Sequence, residues 1–415
     1  MITDKKKLKE KNRAWVSAYF GCALGAGILF IPVQAGQTGI YESIIIMLMA
    51  FVVMYLAQKY FTIILVRSKT NRGFDKAIAT YIGKRWALII SILYVIIMFS
   101  AMIAYATAIN NSIPEILIRY NLTKADLSRN PIFTLGLLIF LTILPLISEH
   151  FLLTVMARVS QVLIVLLIIM GIMFIPYWNL TMFCSLDLNW YSLLKDFLLC
   201  FPIFLYSAIY YPTISPMVTD YKTDFPEMTD EELEKNAILV TRKASSILSI
   251  FILLFTLSAV LSLTPHSLER AIQQNTSTLA VIGFGEENIT VFLHSTRLIG
   301  FVTLIAALMT SYYGSVLGIV EVIKGFFQKK HSKYVENYTN IIMLVVLYII
   351  VIFNFDVLSV IGMIETPIAG LIVFVLPVCL FFAIKQFKNY RSILAIIIGL
   401  CGFFVIFSFL VGKII

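Results

Sequence analysis

The 415-residue chain is 60% AVILMFWYC and only 13% charged, about half the charged share usual for a globular protein, so its natural solvent is lipid. Eleven apolar stretches of roughly 22 residues take up about 240 residues, which leaves no room for a soluble catalytic domain. The net charge of +9 would suit a nucleic-acid partner, but its distribution excludes one.

In chain order, residues 1–13 are polar and basic, with no small-residue cleavage site ahead of the first apolar run, and read as a cytoplasmic tail. Membrane spans are expected over 14–35, 40–66, 87–112, 132–149, 154–176, 196–217, 242–264, 289–325, 338–354, 357–384 and 391–412. Lys and Arg crowd alternate connectors: 5–13, 67–85, Arg158, 222–243, 324–333 and 385–391. The opposite connectors hold only Arg119, Lys124, Arg129, Lys195, Arg270, Arg297 and Lys413. By the positive-inside rule the N-terminus is cytoplasmic, and an odd number of spans puts the C-terminus outside a plasma membrane, most simply a bacterial inner membrane. The acidic run from Glu227 to Glu234 reads as a solvated helix start, and 265–287 as an outer connector with a short surface helix. Cys22, Cys200, Cys379 and Cys401 read as small buried hydrophobes, Cys184 falls in an outer connector, and neither Cys nor His has metal-ligand spacing.

Two spans are unlike ordinary membrane helices. The first contains Gly21, Gly25 and Gly27, followed by Pro32 and Gly36; the sixth runs Tyr206-Ser207-Ala208-Ile209-Tyr210-Tyr211-Pro212, with Pro216 beyond. Glycine and proline let the backbone leave helical geometry, and at membrane depth this survives only where it is buried in protein or lines a cavity. Taken alone, the glycines also fit close helix packing of the small-xxx-small kind. Spans one and six are corresponding members of two five-span units, 14–176 and 196–384, which enter the membrane from opposite sides because five is odd. The expected fold is therefore an all-α polytopic membrane protein: a five-plus-five inverted repeat with broken helices 1 and 6, plus an extra eleventh helix at 391–412.

A broken helix offers N–H groups to an anion and carbonyls to a cation, so a zwitterionic amino acid fits without a charged side chain. Gly21, Ala23, Gly25, Ala26 and Gly27 would allow close backbone approach, and Ser207 and Tyr210 would set side-chain selectivity. Tyr105 and Asn111, in span three, either line the site or pack. Thr310 and Ser311 either back-bond within span eight or hold a hard cation with carbonyls of span one. Glu365, a carboxylate within span ten, is a functional candidate by default. Glu321 reads as a marker of the cytoplasmic end of span eight.

The runs GCALGAGILFIPVQAG (21–36), IPYWN (175–179), VLSLTPHSLERAIQQN (260–275) and IGMIET (361–366), with Ser311 to Gly325, resemble the hydroxy and aromatic amino acid permeases. Within the amino acid–polyamine–organocation superfamily, the closest likeness is to bacterial serine and threonine permeases, along nearly the whole chain. The resemblance implies an eleven-span symporter that needs no cofactor and couples a neutral amino acid to H+ or Na+. It places the substrate carboxylate at Gly21–Gly27 and the ammonium and side chain near Tyr206, Ser207, Ile209 and Tyr210. It places the coupling cation near Ala23, Thr310 and Ser311, and we group Glu365 with this coupling set. Two residues depart from the pattern. Ile209 and Tyr210 stand where a polar residue and His are usual, implying a less polar pocket. Thr310 stands where a Lys serves as a built-in cation, so Thr310-Ser311 is expected to admit sodium. A channel would lack the paired breaks, an enzyme would need clustered acids or histidines, and a transporter fold used as a sensor would fail countertransport.

Overall fold

Turn chemistry fixes many of the helix ends. Helix α1 (Ile2–Thr38) gives way to α2 (Ile40–Val66) at Gly39, whose φ of 101° suits glycine. Helix α3 (Gly73–Arg119) is kinked at Gly83, also at positive φ, so the segment before it is a short helix of about three turns set at an angle to the span. Asn130 caps α4 (Pro131–Ile147) by accepting from the N–H groups of Ile132 and Phe133, and Ser148 caps α5 (Glu149–Phe174) through Phe151. After α6 (Trp190–Tyr206) and α7 (Ile214–Asp224), a capping box between Thr229 and Glu232 opens α8 (Asp230–Ser262) and gives the acidic run its structural role. Helices α9 (Val291–Phe326), α10 (Ser332–Ile352), α11 (Thr366–Ala383) and α12 (Ile393–Gly412) complete the chain.

This computed structural model describes residues 2–70, 73–180, 190–262, 291–326, 332–353 and 364–412. The outer connector 265–287, Cys184 and the first half of the 361–366 motif lie outside the described residues. Among the described residues there is no strand. Among the described residues, seven helical segments are long and apolar enough to cross a membrane, and Pro131–Ile147, Asn337–Ile352 and Ile393–Phe407 are shorter apolar helices. α9 packs against α1, α3 and α5, and α8 against α1 and α2, so these form the centre. Residues such as Phe140, Val162, Ile172, Ile342, Leu400 and Phe403 form an exposed apolar surface suited to acyl chains.

Helix α1 runs from Ile2 into the first span. One expectation is corrected: the first span is unbroken, running as one helix through Gly21–Gly27 with Pro32 inside it. Its glycines serve close packing. A Cβ at Gly21 would lie 2.0 Å from Ser160 Oγ, and one at Gly25 2.3 Å from Ser311 Oγ, so α5 and α9 press on this face. Glycine permits departure from a helix, but here the neighbours reward staying in it.

Candidate functional site

The sixth span is broken as expected. Helix α6 stops at Tyr206, residues 207–210 are non-helical, and a short 3-10 turn (Tyr211–Thr213) leads into α7. Pro212 cannot donate to the preceding turn, and Tyr210 adopts φ −136°, outside helical space. The exposed backbone needs partners, and Gln58 of α2 supplies two. Its Nε2 donates to the Ala208 carbonyl at 3.0 Å, and its Oε1 accepts the Tyr210 N–H at 2.8 Å. Tyr94 donates to the Tyr211 carbonyl at 3.2 Å, and Thr213 Oγ1 donates to that of Tyr210 at 2.8 Å. Helix α9 makes room with Gly318, where an added Cβ would lie 2.9 Å from the Pro212 carbonyl. Gln58 is fully buried; its sequence signal was a lone amide in a largely apolar span, beside Lys59, and the residues alone did not single it out.

Beside the break, the hydroxyls of Thr310 and Ser311 reach into α1. Thr310 donates to the Gly21 carbonyl at 2.9 Å, and Ser311 to that of Cys22 at 2.7 Å. The Gly25 N–H in turn donates to Ser311 Oγ at 2.9 Å. The Thr310 hydroxyl also lies within hydrogen-bond reach of the Ala306 and Ala307 carbonyls of its own helix, so its one proton is shared between the back-bond and α1. The outcome is a cluster of two hydroxyl and two carbonyl oxygens in the buried α1–α9 contact, with Ala23 buried on the same turn of α1. Hard cations take such oxygen donors.

A cavity of about 20 Å³ lies between this cluster and the break, lined by Cys22, Ala101, Tyr105, Tyr206, Ile209, Tyr211, Pro212, Ser311, Ser315 and Glu365. Tyr105, Tyr206, Ile209, Ser311 and Glu365 thus come together as a group. Others of the expected residues point elsewhere. Ser207 donates to the Phe204 carbonyl in the last turn of α6, and Tyr210 stacks on Tyr19 at 4.5 Å with its hydroxyl on Ser245 and the Thr241 carbonyl. Gly21, Ala23, Gly25 and Thr310 belong to the α1–α9 contact, and Ala26 and Gly27 continue helix α1. A larger cavity of about 290 Å³ lies between α5 and α9, where Val155, Val159, Phe301, Ile305 and Met309 make the wall mostly apolar and Thr310 and Tyr313 are its polar residues. It is lined by no charged side chain, whereas Glu365 lines the smaller one, so chemistry favours the smaller one.

At the basic end of the bundle, Glu321 is more than an end marker. Its carboxylate accepts from Ser215 at 2.8 Å and Thr219 at 2.9 Å, both on α7, and from the Phe74 N–H at the start of α3 at 3.4 Å. On its other side, α7 is tied to α1, where Trp15 Nε1 and Lys11 Nζ both reach Asp220.

A family model described as the tryptophan/tyrosine permease family matches residues 11–415. The chain belongs to this family. It is a membrane transport protein of the permease kind rather than an enzyme. Among its relatives, a serine transporter of Escherichia coli O157:H7 is 25% identical over 407 residues, covering 95% of this chain and 90% of the relative. The inner membrane transport protein YqeG of Escherichia coli K12 is 25% identical over 410 residues, covering 96% and 98% of the two chains. The threonine/serine transporter TdcC of Yersinia enterocolitica is 22% identical over 410 residues, covering 94% and 92%.

Proposed function

We propose that this permease is a secondary active symporter that carries a neutral amino acid, serine- or threonine-like, together with a cation by alternating access. The observation that carries this reading is the meeting of the α6–α7 break and the Thr310–Ser311 oxygen cluster at one small, partly polar cavity. The relatives named for serine and threonine transport support the substrate class. The cation, sodium in our reading, sits among Thr310 Oγ1, Ser311 Oγ and the carbonyls of Gly21 and Cys22. The substrate takes the cavity walled by Tyr105, Tyr206 and Ile209. A cavity of about 20 Å³ has room for about one water, so substrate entry requires α1, α6 and α7 to shift against α3 and α9. We take the chain to cross a bacterial inner membrane eleven times as a five-plus-five inverted repeat, with the N-terminus cytoplasmic and the C-terminus outside. The basic end with Glu321 is then the cytoplasmic gate.

The tyrosine walls, Tyr105, Tyr206 and Tyr211, favour a second substrate reading, an aromatic or other apolar amino acid. Uptake of a panel of labelled amino acids into proteoliposomes, with sodium and proton gradients imposed separately, tests both readings. Saturable, sodium-driven accumulation of serine or threonine is expected. Uptake driven equally well by a pH gradient in sodium-free medium overturns the sodium assignment.

A further inference from the structure

Two buried polar atoms meet at the same cavity. Glu365 is 7% exposed, and its Oε1 makes no hydrogen bond; the buried Tyr206 hydroxyl has the Thr366 side chain beside it, which leaves its oxygen a lone pair to accept a further N–H. A buried polar atom left unmet is destabilising, and a carboxylate in an apolar span is more so unless it is paired. Both residues line the cavity of about 20 Å³ beside the α6–α7 break. The remaining walls, which include Ser311, Ser315 and Cys22 beside the aromatic and apolar residues, offer no positive charge. The carboxylate's other side-chain neighbour is the Ser100 hydroxyl, which itself donates to the Ile97 carbonyl. What this corner can take is a compact cation with several N–H donors.

We infer that Glu365 and Tyr206 form the subsite that reads the substrate's ammonium group, with Glu365 Oε1 accepting one N–H and the Tyr206 oxygen a second. The inference rests on the amino acid transport reading above and takes Glu365 out of the cation-coupling set. Coupling is then left to the Thr310–Ser311 oxygens on the α1–α9 contact. The division is chemically sensible. A carboxylate matches a primary ammonium by charge and hydrogen bonding, whereas neutral hydroxyl and carbonyl oxygens suit a bare alkali cation that gives up its water. It also explains how a cavity with so few polar groups selects α-amino acids over the corresponding hydroxy acids: the deaminated analogue leaves a buried carboxylate unpaired.

The test is counterflow of the amino acid the wild type exchanges fastest, in proteoliposomes of the full chain at equal pH and sodium on both faces, where no gradient drives transport. The decarboxylated amine and the deaminated acid of that amino acid serve as competitors. In the wild type the amine is expected to compete and the deaminated acid not. In Glu365→Gln the half-saturating substrate concentration is expected to rise about 10- to 100-fold, the range for a hydrogen bond to a charged group, and competition by the amine to vanish. Tyr206→Phe, which keeps the ring and the carboxylate, is expected to raise it about 3- to 10-fold. Glu365→Gln with unchanged affinity and unchanged amine competition overturns the inference. So does a Glu365→Gln protein that exchanges normally but loses accumulation under a pH gradient, since the carboxylate would then be a proton carrier. If Glu365→Gln does not insert, competition on the wild type decides: a deaminated acid as potent as the amine overturns the assignment. A wild type that exchanges no amino acid at all refutes the transport reading instead.

Discussion

Adding one methyl group at Gly25 probes the α1–α9 contact. In Gly25→Ala the new Cβ would lie 2.3 Å from Ser311 Oγ, 2.7 Å from Ser311 Cβ and 3.2 Å from the Ala307 carbonyl. The hydroxyl can rotate away, but Ser311 Cβ and the Ala307 backbone cannot, so α1 and α9 must part by about 1 Å to reach ordinary contact. Parting stretches the Gly25–Ser311, Ser311–Cys22 and Thr310–Gly21 hydrogen bonds, now 2.9, 2.7 and 2.9 Å. Overpacking costs about 1–3 kcal/mol, and three interhelical hydrogen bonds at roughly 0.6 kcal/mol each bring the total to about 3–5 kcal/mol. The sodium concentration for half-maximal uptake should rise at least about tenfold, equivalent to about 1.4 kcal/mol, and thermal stability in detergent should fall. Gly171→Ala, with nothing within 4 Å of its added Cβ, is the control and should be silent. The double variant Gly25→Ala/Ser311→Gly removes the clash and should regain stability without regaining sodium dependence. Gly25→Ala with wild-type stability and sodium dependence would refute the idea that this contact holds the cation.

Gln58→Leu leaves the Ala208 carbonyl and the Tyr210 N–H unmet, so a loss of about 2–5 kcal/mol and near-complete loss of uptake are expected in a thermal-shift and transport assay. Gln58→Glu, which keeps the acceptor, should lose less. Thr310→Val and Ser311→Ala should each weaken sodium dependence in uptake titrations while leaving membrane insertion intact. Replacing Ser215 with Ala and Thr219 with Val together removes the α7 side of the Glu321 contact. With Cys184, Cys200, Cys379 and Cys401 replaced, Cys22 in the cavity should then label faster with a membrane-impermeant thiol reagent applied from the basic face.

The broken sixth span was legible because Pro212 and Pro216 remove two backbone donors four residues apart, whereas the lone Pro32 is accommodated inside α1. The first span was not, because a glycine run permits two outcomes, and the choice rests with Ser160, Thr310 and Ser311, residues more than a hundred positions away. Thr310-Ser311 stood out as hydroxyls in an apolar run, yet only the packing shows that they meet the Gly21 and Cys22 carbonyls. Tyr210 lies in the right segment, but its side chain faces α8, a direction set by backbone dihedrals that spacing cannot supply. Gln58 and Glu321 act on helices distant in sequence, and a lone amide or end-of-helix carboxylate gives no sign of which backbone group it serves.

The most direct test of a cation-coupled amino acid symporter is net accumulation of labelled serine and threonine in proteoliposomes under an inward sodium gradient at symmetric pH. Concentration above equilibrium that collapses when the gradient is dissipated is the expected result. Uptake that never exceeds equilibrium under either a sodium or a proton gradient would contradict coupling.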